Sequence, residues 1–201
     1  PLLQYRVGLC GGVEVARLST IRATDDDFLD ADLELGRRAL QNQIPPDVPE
    51  GVRRLESAKA AFPGSPIAAV VIGNLRELLE EWSEGLAEFD HALALVPTHR
   101  DALLGKTVSL SNLDRNQEAL ATAGRLLELG DWFIGPAHYW TAWDLYQLDR
   151  IAEARAAADR AKAMMVNPAL FLLSGMIEWR EKRLDSAAEE FIRTVDMGAT
   201  Q

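Results

Sequence analysis

Apolar side chains recur along this chain at helical spacing, and from residue 66 to the end they form successive pairs of amphipathic segments joined by short polar turns. An isolated pair of that kind would leave an apolar face in water. The pattern therefore predicts helix pairs that stack and cover one another's faces. Upstream, residues 32–43 predict a first helix and residues 50–62 its partner. Between them the run IPPDVP carries three prolines, which cannot continue a helix, so an expanded turn is expected there.

Residues 1–24 allow two readings. Gly11 and Gly12 could be the turn of a short helical hairpin, with Ala16 on its second arm, whereas the alternation of Leu3, Tyr5, Val7 and Leu9 fits a β-hairpin. The helical reading is preferred because every later segment is helical. Boundary residues agree with helices elsewhere. Asp25, Asp26 and Asp27 suit a helix N-terminus, Pro97, Pro136 and Pro168 stand at junctions, and Asp185 is the expected cap of the last helix.

Comparing the chain with itself exposes a repeat. Gly85, Ala119, Ala154 and Ala187 each sit just after an expected turn, at separations of 34, 35 and 33 residues. With the units registered on these residues, Gly73 and Gly175 coincide twelve places earlier, Phe89 and Phe191 four places later, and Ala92 and Ala161 seven places later. Small residues let two antiparallel helices approach closely, and the aromatic fills the gap to the next unit.

This pattern resembles the tetratricopeptide repeat family, a 34-residue unit with small residues at positions 8, 20 and 27, a bulky one at 24 and a proline near 32. Residues 66–99 match with Gly73, Gly85, Phe89, Ala92 and Pro97. Residues 100–134 match at Ala119 but carry Thr107, Ala123 and Leu126 at the other positions. Residues 135–167 match at Ala142, Ala154 and Ala161, with Ala158 in place of the bulky residue. Residues 168–201 match at Gly175, Ala187 and Phe191, with Thr194 for the usual alanine. Residues 29–65 make a divergent repeat, in which Leu35 and Gly36 resemble the family's apolar-glycine pair, and residues 1–28 a degenerate hairpin. The resemblance implies an all-α fold, a right-handed superhelix (solenoid) of helix-turn-helix repeats in one domain.

In this family the first helix of each repeat lines a concave groove through positions 2, 5, 9 and 12. Carried across, these positions give Val70, Asn74 and Glu77, then Leu104, Val108 and Ser111, then Tyr139, Trp143 and Tyr146, and last Leu172, Met176 and Trp179. The resemblance thus implies a groove that is polar to neutral at one end and aromatic at the other. Aromatic residues with methionine are typical of binding hot spots, but aromatic residues at helical spacing are also the usual filling between helices. Packing between repeats, a segment of the same chain in the groove and a separate peptide ligand all stay open. Family members that clamp a C-terminal carboxylate place lysine where this chain has Val70, Leu104, Tyr139 and Leu172, and only Asn74 keeps an element of that clamp. An apolar or amphipathic helix suits the groove better.

Composition narrows the partners. With 21 Lys and Arg against 31 Asp and Glu, the net charge of −10 repels phosphate backbones and anionic lipid surfaces, so neither nucleic acid nor a membrane is an expected partner. No apolar run approaches the ~20 residues of a membrane span. Cys10 is the only cysteine, so no intrachain disulfide forms, which suits a cytoplasmic and equally a periplasmic protein. The start at Pro1 reads as a piece of a longer protein.

Motifs for chemistry are weak. Gly8, Cys10 and Gly12 have the bare spacing of a nucleophile elbow, which works only on a strained strand-to-helix turn beside a histidine. Gly105, Lys106 and Thr107 resemble the end of a phosphate loop, but Arg100 stands where its first glycine is needed. His91, His99 and His138 lack zinc spacing, and His138 falls at a packed position. The acidic run Asp25, Asp26, Asp27, Asp30 and Asp32 has Leu35 where a calcium loop needs glycine, so it reads as a solvated helix cap. No cofactor or metal is expected. The leading reading is a non-catalytic scaffold that binds a protein or peptide in its aromatic groove, with Asn74, Glu77, Val108, Tyr139, Trp143, Tyr146, Met176 and Trp179 as its contacts. A self-assembling structural module, forming a homo-oligomer or docking on a neighbouring domain, is the second reading, and a Cys10-dependent hydrolase is a remote third.

Overall fold

The computed structural model describes residues 48–130 and 134–198, which fall into two compact units, one ending at His99 and the other starting at Arg100. The expectations for residues 1–47 lie outside the described residues, among them the helix at 32–43, Cys10 and the acidic run. The first unit holds α1 (Val48–Ala61), α2 (Pro66–Leu78) and α3 (Trp82–Leu95). The second holds α4 (Arg100–Asn112), α5 (Asn116–Glu128), α6 (Gly135–Gln147), α7 (Ile151–Met164), α8 (Pro168–Arg180) and α9 (Leu184–Gly198). No strand occurs among the described residues. In the first unit α2 packs on α1 and α3. In the second the pairs α4/α5, α6/α7 and α8/α9 are each in contact, and α6 also touches α4, α5 and α8.

Prolines and caps start the first helix of several pairs. Pro66 opens α2 behind Ser65, whose side chain accepts the Ala68 N–H. Pro168 opens α8 behind Asn167, which accepts the Ala169 N–H at 2.8 Å. Asp185 is not a cap. Helix α9 already begins at Leu184, so Asp185 lies in its first turn, where its charge meets the positive end of the helix dipole.

The small anchors occupy one place in the geometry. Gly85, Ala119, Ala154 and Ala187 are each the fourth residue of the second helix of a pair, and all four are buried. Just before them, each first helix ends in the same turn. Glu80, Asp114, Asp149 and Lys182 adopt left-handed backbone, with φ of 60°, 58°, 59° and 61°. Their N–H groups donate to the carbonyls of Glu77, Ser111, Tyr146 and Trp179. The next residues, Glu81, Arg115, Arg150 and Arg183, donate back to Arg76, Leu110, Leu145 and Glu178 at 2.8 to 3.0 Å. These two bonds make a Schellman turn, which satisfies helix-end carbonyls and reverses the chain within a few residues. Glycine usually holds the left-handed position, and none of these four turns has it.

Close approach of paired helices is achieved in two ways. A Cβ added to Gly73 would sit 2.6 Å from Phe89, and one added to Gly175 would sit 2.5 Å from Phe191. In α4/α5 and α6/α7 the same two repeat positions hold Thr107 with Ala123 and Ala142 with Ala158, all four of them buried. The alanines that stand at the bulky position therefore go with a residue larger than glycine at the facing one.

Candidate partner-binding face

The aromatic face belongs to the second unit. Helix α6 carries Tyr139, Trp143 and Tyr146 at i, i+4 and i+7, and α8 carries Leu172, Met176 and Trp179 at the same spacing, so each set lines one side of its helix. Tyr139, Trp143 and Tyr146 are half-buried against a cluster made by Ala142 and Leu145 of α6, the buried alanines Ala154, Ala157, Ala158 and Ala161 of α7, and Leu170, Leu173 and Ile177 of α8. Burial holds the Tyr139 phenol above the usual tyrosine range, so it stays neutral. Its ring meets Trp140 edge-on, with centroids 5.2 Å apart.

The α8 stripe is the open part. Trp179 is 64% exposed and Leu172 45% exposed, with Met176 half-buried between them. Arg180 marks one end: its guanidinium lies 5.8 Å from the Tyr146 ring and pairs with Asp149 in the turn after α6. An indole, a thioether and a leucine side chain in line can cover an apolar ridge about two helical turns long.

The other candidate residues are placed differently. On α4, Leu104 and Val108 are half-buried, and Ser111 is buried, so it contributes no surface. In the first unit Asn74 is exposed and Glu77 half-buried on α2, while Val70 is buried and closed to a ligand. His138 is buried, and desolvation together with Arg160 holds its ring below the usual histidine range, so it packs neutral. Lys106 and Thr107 lie within α4, away from any loop that could cradle a phosphate. Among the described residues no group of three or more His, Cys, Asp or Glu is set to hold a metal, and no helix is long and apolar enough to cross a membrane.

Sequence reasoning missed Asp144. It lies on α6 between Trp143 and Leu145 and is fully buried. Its Oδ2 is 3.0 Å from Ser111 Oγ of α4, and its Oδ1 has no hydrogen-bond partner. Burial pushes the carboxyl up to about 7, against a smaller downward pull from the Ser111 hydroxyl. A lone acid inside the apolar run AHYWTAWDLY was the available signal. Arg180 was also missed, because the family's groove positions do not include it.

No protein-family model and no curated protein matches the chain. Solved structures do match its fold. MamA 41-end from Desulfovibrio magneticus RS-1 is 18% identical, with a TM-score of 0.70 over 87% of this chain and 97% of that one. A thermophilic TPR protein of Thermus thermophilus is 16% identical, with a TM-score of 0.69 over 84% and 90%. PilF of Pseudomonas aeruginosa is 17% identical, with a TM-score of 0.73 over 85% and 77%.

Proposed function

Given that this chain has the tetratricopeptide-repeat fold, we propose that it is a non-catalytic interaction scaffold whose second unit holds an apolar or amphipathic helix of a partner protein. The observation that carries this reading is the stripe Leu172, Met176 and Trp179, open to solvent at its ends and flanked by Tyr139, Trp143 and Tyr146. An indole left 64% exposed on an ordered helix presents a large apolar area that loses little side-chain freedom when covered. The half-buried α6 aromatics make a firm floor beside it. Charge sits at the edge of this face, on Arg180, so affinity would come from apolar burial with little salt dependence.

Photo-crosslinking tests this reading. A benzophenone residue at position 179 should capture a discrete partner segment from host extract, whereas one at exposed Ala156 on α7 should not. A synthetic peptide of the captured segment should lose about 2 kcal/mol of binding on Trp179→Ala, read by titration calorimetry. Equal adducts at both positions, or a peptide indifferent to Trp179→Ala, would sink the proposal.

A second reading is favoured by one observation. Leu184, Ile192 and Val195 on α9 are 63%, 59% and 68% exposed, an apolar set that a second copy or a neighbouring domain could cover. Sedimentation velocity separates the two readings. A concentration-dependent oligomer abolished by Ile192→Asp and Val195→Asp supports assembly, and a monomer at all concentrations removes the homo-oligomer.

A further inference from the structure

We propose that Asp144 is held as the neutral acid in the folded second unit and acts as a pH-sensitive fastener between α4 and α6. The geometry leaves one arrangement in which both contacts of Ser111 are full hydrogen bonds at once. Ser111 has a single hydroxyl proton, and its Oγ lies 2.9 Å from the Thr107 carbonyl and 3.0 Å from Asp144 Oδ2. A carbonyl can only accept, so if Ser111 donates to Thr107, the bond to Asp144 needs a proton on the carboxyl. Thr107 continues the ladder by donating to the Leu103 carbonyl at 2.9 Å. A neutral Asp144 completes this chain through its own O–H.

Ionisation breaks that economy. The carboxylate must then take the Ser111 proton from Thr107 while its Oδ1 remains buried without a donor. Among the described residues no cation acts on the Asp144 carboxyl. Of the cations on the helices packed against α6, Arg100 of α4 donates to the Leu129 and Gly130 carbonyls, Lys106 of α4 acts on Glu118 of α5, Arg155 of α7 faces Glu178 of α8, Arg160 of α7 acts on His138, Lys162 of α7 pairs with Glu190, Arg180 of α8 pairs with Asp149, and Arg125 of α5 does not act on Asp144. The shift at Asp144 comes from burial and Ser111 alone. A fully buried charge with one hydrogen bond and no counterion loosens the contact it sits in.

The direction of the effect follows. Between the ordinary aspartate value of 3.8 and about 7 the folded chain holds a proton that the unfolded chain has lost, so rising pH weakens the fold. The unfolding constant then rises up to tenfold per pH unit across that window, and this contribution is flat on either side of it. Urea unfolding of the full chain from pH 4 to 8 tests this by comparing wild type with Asp144→Asn, which cannot ionise and can still donate to Ser111. The ratio of their unfolding constants should change by about three decades across the window, and a constant ratio overturns the proposal. Should the variant not fold, the wild-type Asp144 carboxyl carbon is followed by NMR: a midpoint near neutrality supports the proposal, and one in the ordinary carboxylate range overturns it. In Ser111→Ala the same midpoint should move higher, because the charged form loses its only donor.

Discussion

The first and last of the four helix pairs in chain order, α2/α3 and α8/α9 (the outer pairs), reach close packing by a route opposite to the two between them in sequence (the inner pairs). In the outer pairs a glycine receives a phenylalanine ring, Phe89 against Gly73 and Phe191 against Gly175. In α4/α5 and α6/α7 the glycine becomes Thr107 or Ala142, and the ring becomes Ala123 or Ala158. Where one partner grows the other shrinks. A residue larger than glycine goes with one smaller than phenylalanine, so a substitution at either position must be judged with its facing residue.

The largest effect should come from removing a ring. Phe89→Ala opens a cavity in a fully buried site and should cost about 3 to 5 kcal/mol in chemical denaturation. Gly73→Ala alone should cost about 1 to 3 kcal/mol, because the new methyl meets a ring that cannot swing into solvent. Together they should cost less than the sum, since the methyl then fills part of the cavity and approaches the inner combination. Strict additivity would break the comparison. Ala158→Phe puts the outer ring against Ala142 without a glycine to receive it, and a loss of about 1 to 3 kcal/mol is expected in thermal melts. A neutral result would mean that the inner pairs have spare room.

The smallest effect concerns the turns, where the four repeats are alike in shape and differ in chemistry. Lys182→Gly and Glu80→Gly should each stabilise by about 0.5 to 1 kcal/mol, since relief of left-handed strain outweighs the added freedom of the unfolded chain. Asp114→Gly should gain less, because aspartate tolerates that conformation better. If all three gain equally, side-chain chemistry does not decide these turns.

Much of this fold was legible in the sequence. The small anchors at Gly85, Ala119, Ala154 and Ala187 are all buried, and the Gly–Phe coincidences mark helix contacts in the structure. The inner alanines were less legible. Ala158 reads as a departure from a pattern until Ala142 is seen on the facing helix. The Schellman turns escaped notice because Glu80, Asp114, Asp149 and Lys182 share a place in the repeat and no residue type. The candidate face was readable as a pair of stripes. Which residues on it were open was not.

Repeat position 12 shows why. It holds Glu77, Ser111, Tyr146 and Trp179, of which the first and third are half-buried, the second buried and the last exposed. Periodicity along the chain decided which residues share a side of a helix, because helix geometry is local and repeats every 3.6 residues. It also decided where helices pair closely, because a small side chain permits that approach wherever it falls. Burial is set by whatever a neighbouring helix lays across a position, and only the packed structure supplies that neighbour. It alone closed over Asp144 and left Trp179 open.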